Sequence, residues 1–306
     1  MELSEINTPS GTQPVDVDDQ PSLEASSVNP TVIAPPPQMG GSIAATNAST
    51  TPAYIYSIGS IAIRYPRPSV EKEFAQVILR TETTGLSDSQ AMHKVLAQRD
   101  NRYLARQLCW VQTVEGLETY ILLPRDPADF ELLVEAVRPR PGPLDIDVVI
   151  GVKGPIASSD LCNGLMVPIV AFDQIYSFDR DSLIKSIPRP EPIPAEEFAA
   201  AAEEVFDRIQ QLADNAGATD EHRALNYLAV RDPAIYKTTA EAHGRNCSLT
   251  AVEVVQSRLS AVRKVVTVVF TYTNRATDVQ EKYFLRVDVT EEFPFLVTKL
   301  SPYFDR

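Results

Sequence analysis

The chain has 306 residues, 28 Lys and Arg against 41 Asp and Glu, and a formal charge of −13, which sets nucleic-acid binding aside because nothing general draws so acidic a chain to phosphate. Three cysteines cannot build a disulfide framework, and their odd number suits a reducing compartment. No uncharged apolar stretch reaches membrane-span length, and Met1-Glu2-Leu3-Ser4-Glu5 is acidic where a secretory signal is basic, so the expected location is cytoplasmic, with no membrane partner.

Residues 1–53 hold six acids (Glu2, Glu5, Asp16, Asp18, Asp19, Glu24) and no Lys, Arg or aromatic residue. Pro, Ser and Thr dominate, with Pro35-Pro36-Pro37 ahead of Gly40-Gly41. Such a segment buries too little apolar surface to offset the entropy of ordering it, so it reads as a disordered, solvated tether. A recruitment ligand is the alternative.

A globular body follows. Tyr54–Tyr65 is β-branched and aromatic and predicts a strand, bulged at Gly59. Val70–Leu79 carries Val70, Phe74, Val77 and Ile78 at helical spacing, and Asp88 can cap a second helix through Met92, Val95 and Leu96. Leu108–Val111 and Thr119–Leu123 predict strands joined by a turn at Glu115–Glu118. Asp126-Pro127 opens a helix with Phe130, Leu133, Val134 and Val137 on one face. Leu144–Val152 and Leu165–Phe172 read as strands, with Gly151, Gly154 and Pro155 as a turn between them.

Pro188–Pro194 holds four prolines in seven residues and predicts an extended connector between sub-domains 54–187 and 195–306. Beyond it, Ala195–Ala213 repeats Phe198, Ala202, Val205, Ile209 and Leu212 at helical spacing. Two heptads fall short of a sustained coiled coil, so packing on its own domain is favoured over a homodimer contact. Helices are expected at Glu221–Val230, Pro233–His243 and Thr250–Leu259. Val265–Thr273 and Glu281–Thr290 then predict a hairpin, its first strand central and its second nearer an edge. The fold class is α+β: a mixed or antiparallel sheet with packed helices in two sub-domains. Arg-Asp-Pro-Ala occurs at Arg125–Ala128 and Arg231–Ala234, and Asp at an N-cap with Pro in the first turn explains both copies.

Chemistry is sparse. The histidines are His93, His222 and His243; none sits in a protease signature, and His93, beside Lys94, reads as solvated. His243 and Cys247 form one His-x3-Cys pair, to which Cys109 and Cys162 could be added by folding, but a zinc site needs two local pairs. Cys109 beside Trp110 reads as a small buried hydrophobe. Neither a Walker loop nor a dinucleotide fingerprint is present, and Glu203-Glu204 and Glu291-Glu292 read as solvated. No catalytic, cofactor or metal residue is therefore assigned, and no cofactor is expected.

The run Asn101-Arg102-Tyr103-Leu104-Ala105-Arg106-Gln107-Leu108-Cys109-Trp110-Val111, continuing through Glu115–Pro127, is joined by Ala224-Leu225-Asn226-Tyr227-Leu228-Ala229-Val230-Arg231-Asp232-Pro233 and Arg286–Val297. Together they resemble the C-terminal domain of PatA and PatG, the subtilisin-like maturation proteases of cyanobactin biosynthesis. The resemblance runs from about Tyr54 to Arg306. It implies a place among ribosomally made, post-translationally modified peptides, and it implies no reaction, since proteolysis there belongs to the subtilisin domain. The expectation is a non-catalytic accessory module binding a precursor peptide or a maturation enzyme, with the hairpin edge as a strand-addition surface. An oligomerisation scaffold, or a cryptic hydrolase using His243 or Cys247, are the alternatives.

Overall fold

The computed structural model describes residues 52–139, 145–189, 193–211, 214–257 and 262–304. Of the expected tail 1–53, residues 1–51 lie outside them, as do 190–192 of the proline-rich connector and Leu212. The predicted first strand is β1 (Tyr54–Arg64), and Pro68 opens α1 (Pro68–Arg80). The next helix, α2 (Asp88–Leu96), is capped by Ser87 rather than Asp88. Ser87 and Gln90 form a reciprocal capping box, each backbone N–H donating to the other's side chain at 2.9 and 3.3 Å.

A short α3 (Arg102–Ala105) leads into β2 (Cys109–Val114) and β3 (Leu117–Pro124). Their tight turn places Glu115 and Gly116 at φ 49° and 81°, the paired left-handed residues of a two-residue hairpin loop. The Asp126 carboxylate accepts from Ala128 N at 2.8 Å and starts one 3₁₀ turn ahead of α4 (Phe130–Ala136). Then come β4 (Asp145–Ile156), β5 (Pro168–Asp179) and α5 (Arg180–Ser186). Gly151 and Gly154, expected in a turn, lie inside β4. A Cβ on Gly151 would come 2.4 Å from the Ala171 carbonyl, so this glycine serves a close strand approach at a bulge.

The five strands close into a barrel in the order β1-β2-β3-β5-β4, antiparallel except for β3 against β5. Closure leaves this sheet no free edge. β1 serves two partners, β4 through Tyr54–Gly59 and β2 from Ser60 onward. Gly59 therefore marks a change of partner rather than a bulge; the irregularity opposite it belongs to β2, at Gln112/Thr113.

In α6 (Ala195–Gln210), Phe198, Ala202, Val205 and Ile209 are 4% exposed or less, so the seam packs within its own chain. Thr219 caps α7 (Asp220–Arg231), and Asp232 caps α8 (Pro233–Gly244) by accepting from Ala234 N at 3.0 Å. Both Arg-Asp-Pro-Ala copies are thus helix starts. The helix expected at Thr250–Leu259 is instead a strand, β6 (Cys247–Gln256), because β-branched Val252, Val254 and Val255 pair along β7 (Val265–Asn274). β8 (Gln280–Asp288) completes the predicted hairpin, and β9 (Phe295–Pro302), absent from the sequence reading, lies beyond it. The second sheet runs β6-β7-β8-β9, antiparallel throughout. β7 is central as expected, but β8 is paired on both sides, so the edges are β6 and β9.

β1 lies between two cores. Ile55 and Ile61 face Phe74, Leu96, Trp110 and Phe172; Tyr56 and Ile58 face Val205, Leu228 and Phe270. The backbone of Tyr56 is held in both directions, its N–H donating to Gly217 O at 3.0 Å and its carbonyl accepting from Asn226 Nδ2 at 2.8 Å. Residues 50–306 accordingly form one compact α+β unit, with eight α-helices and two sheets among the described residues.

Candidate functional site

An edge strand presents backbone N–H and C=O groups without partners, and β9 is such a strand. It follows Pro294, a residue that ends the preceding turn, and its alternation sets Leu296 and Leu300 toward the core while Phe295 and Val297 are 50% and 41% exposed. Between β9 and α8 runs a groove of about 460 Å³, lined by Lys237, Thr238 and Glu241 on one side and Leu296, Lys299 and Leu300 on the other. At its end sits Asp232, 8% exposed. One carboxylate oxygen caps α8; the other has no hydrogen-bond partner, and burial pushes this carboxyl above its ordinary range. The groove thus offers an unpaired strand edge, leucine side chains and a lysine on either wall, with a buried carboxylate among its lining residues. The predicted docking edge, the β7–β8 hairpin, is not one, because β9 covers it.

A second cluster joins the barrel to the second sheet. Arg125 Nη1 lies 2.9 Å from Asp173 Oδ1 on β5 and 3.6 Å from Glu292 Oε2 just beyond β8. The side chain of Glu292 is 14% exposed, which corrects the solvated reading of this residue, whereas Glu291 beside it is exposed. Burial, then a hydrogen bond and charge repulsion from Asp173, push the Glu292 carboxyl up to about 7 against the pull of Arg125 and Arg223. An unfolded glutamate titrates near 4.5, so between those values the folded chain holds a proton that the unfolded chain has released. The stability owed to this group is complete below the lower value and lost as pH rises through the upper one. Wild type should therefore lose stability relative to Glu292→Gln between pH 5 and pH 8, read as urea midpoints of both proteins. The same pH change in both would show that Glu292 does not titrate in this range.

The remaining sequence candidates scatter. His243 Nε2 lies 3.3 Å from Glu204 Oε2 and 2.6 Å from Arg275 Nη2. Cys247 is 2% exposed, its sulfur against the Arg245 carbonyl at 3.7 Å and Asn274 Nδ2 at 3.8 Å, so the short spacing does not aim both side chains at one point. Cys109 and Cys162 are joined to each other as a disulfide, Cα atoms 5.8 Å apart, tying β2 to the segment before β5. Cys109 is buried as expected, but the odd cysteine count describes one pair and one buried thiol, and no longer argues for a reducing compartment. His93 is half-buried rather than solvated. Among the described residues no helix is long and apolar enough to cross a membrane, and no three His, Cys, Asp or Glu side chains gather as a metal would require. Neither the β9–α8 groove nor the Asp173–Glu292 contact carries a local motif; β9 is legible only as Phe295–Leu300 alternation behind a proline.

Residues 193–303 match the family model described as PatG C-terminal. A solved structure titled "PatG Domain of Unknown Function" superposes with a TM-score of 0.67 at 18% identity, over 82% of this chain and 98% of that one. At such identity the likeness establishes the fold. None of the curated proteins matches the chain. Residues 193–303 are thus similar to the PatG C-terminal family, and the chain shares the fold of that PatG domain. The family match itself falls on α6 through β9, while the likeness of fold extends into the barrel.

Proposed function

We propose that this chain is a non-catalytic accessory module in the maturation of ribosomally made peptides, and that it binds an extended segment of a precursor peptide, or of a maturation enzyme, as a fifth strand on β9. The observation that carries this reading is the groove between β9 and α8, where an open strand edge is flanked by a helix. Main-chain pairing with the edge supplies affinity in such a mode, and pockets for alternate side chains supply selectivity. Leu296 and Leu300 offer apolar seats, and Lys237 and Lys299 offer donors for a peptide carbonyl or carboxylate. The barrel cannot do the same, because its sheet is closed.

Panning a random dodecapeptide display library against the full chain, with counter-selection on Thr238→Trp, tests the proposal. Thr238 is half-exposed on the helical wall, so an indole there fills the groove without entering either core. Selected peptides should bind wild type with Kd below about 1 mM and lose about tenfold or more on the variant, a difference of about 1.4 kcal/mol. A library yielding no peptide that tells the two proteins apart overturns the reading.

A further inference from the structure

A cleft of about 220 Å³ opens between α2, α3 and α4, on the opposite side of β1 from the shared core of the second sheet. Its floor is Leu96 and Ala105, each 1% exposed, and its walls include half-buried Phe130 and Val134. The volume equals that of roughly seven waters at about 30 Å³ each, too small for a drug-sized ligand and right for one side chain with a small head group.

The charges at the rim are unequal. Arg102 pairs with Glu131, both lining the cleft. Glu135 pairs with Arg138, at 2.6 Å, outside the lining. That leaves Arg106, which has no ion-pair partner among the described residues, together with the half-buried imidazole of His93. Both acidic side chains are already engaged, so the uncommitted donors of this cleft are cationic or neutral. A cationic ligand would meet Arg106 unshielded; an uncharged one would leave it unused; a carboxylate would satisfy it. We propose that this cleft binds an apolar body of single-residue size that carries one free carboxylate, with Arg106 as the carboxylate's partner and Leu96, Phe130 and Val134 around the apolar part. The site is separate from the β9 groove and stands or falls independently of it.

The molecule carries its own reporter. Trp110, the single tryptophan, is 1% exposed and donates its Nε1–H to the carbonyl of Ala105, in the cleft floor, at 2.8 Å. Ligand entry therefore presses on the residue that holds the indole, and Trp110 emission can be followed. Arg106 also borders a second hollow beside Arg67, so the test needs a variant that closes this cleft alone. Val134→Trp does that.

The experiment titrates the full chain with N-acetyl-L-phenylalanine, with its carboxamide, and with Gly-Gly-Gly-Gly-Phe bearing a free C-terminus, reading Trp110 emission and calorimetric heat. The acid should saturate with Kd below about 1 mM, and the carboxamide should bind about tenfold or more weakly. Arg106→Gln should reduce acid binding to the carboxamide's level, and Val134→Trp should abolish it, with thermal midpoints of Arg106→Gln and wild type alike because Arg106 is exposed. A pentapeptide that binds tighter than the acetylated residue identifies the ligand as a peptide C-terminus; one that binds more weakly identifies a free carboxylic acid. Equal binding of acid and carboxamide, undiminished binding to Arg106→Gln, or no binding of any probe up to about 10 mM overturns the proposal.

Discussion

Arg223→Met is expected to lower the unfolding free energy by about 3–5 kcal/mol, as breaking a buried ionic network does. Arg223 is 2% exposed. Its guanidinium donates to Val289 O at 2.7 Å, to Glu291 O and to Glu292 O at 3.2 Å, while the Asp220 carboxylate lies 3.6 Å away. One side chain of α7 thereby closes the carbonyl end of the turn between β8 and β9. Methionine preserves most of the stem's volume and none of its donors, so the three carbonyls are left to find water in a nearly closed space. Arg223→Lys should recover only part of the loss, because an ammonium cannot span three carbonyls as a planar fork does. Equilibrium urea unfolding of the three proteins measures both effects. A loss below about 1 kcal/mol for the methionine variant would mean that the turn is already hydrated.

The second large effect is expected at Gly217. Its φ of 73° is a left-handed conformation that disfavours a side chain by about 1–2 kcal/mol. A Cβ there would lie 2.2 Å from the carbonyl of Tyr56 and 2.6 Å from Ser57 Cα, both backbone atoms of β1 that cannot swing aside. Overpacking of that kind adds about 1–3 kcal/mol. Gly217→Ala should therefore destabilise by about 2–5 kcal/mol in thermal or urea unfolding. Gly85 provides the control: its φ is 80° but nothing lies within 4 Å of the added atom, so Gly85→Ala should show the conformational part alone. If the two alanine variants lose the same stability, the contact with β1 is not the cause.

What the chain discloses by itself follows the range of the interaction. Periodicity over a few residues is local, and it gave β1, α6, α7, α8 and the β7–β8 hairpin close to their observed bounds. Local capping chemistry explained both Arg-Asp-Pro-Ala repeats. The segment Thr250–Leu259 misled because Val252, Val254 and Val255 fit a helical and an extended pattern equally over so short a run, and only pairing with Val268 and Phe270 decides between them. Gly151 looked like punctuation, since nothing in the sequence announces the Ala171 carbonyl against which it packs. The candidate site was hardly visible for the same reason. Asp232 could be read as a cap, but not as a buried carboxylate beside a groove whose other wall comes from β9, and Glu292 owes its character to burial and to Asp173 on a distant strand. The likeness to the PatG C-terminal family lay in several separated segments rather than in any one local pattern.

The double seating of β1 also bears on how the chain reaches this structure. Asn226 bonds the Tyr56 carbonyl across 170 residues, and Tyr56, Ile58, Val148 and Ile150 complete the core that holds Leu228 and Phe270. The second sheet and its helices cannot finish their core until the barrel has delivered β1 and β4, and the barrel closes only when strands separated by an entire α/β excursion meet. Contacts so remote in sequence place folding on the slow, millisecond-to-second side of the range for domains. They also make the segment that carries the family likeness, 193–303, a stretch of shared sequence whose hydrophobic interior is finished by residues outside it. Cooperativity in this protein is a property of both halves at once, and β1 is the strand through which each learns that the other has folded.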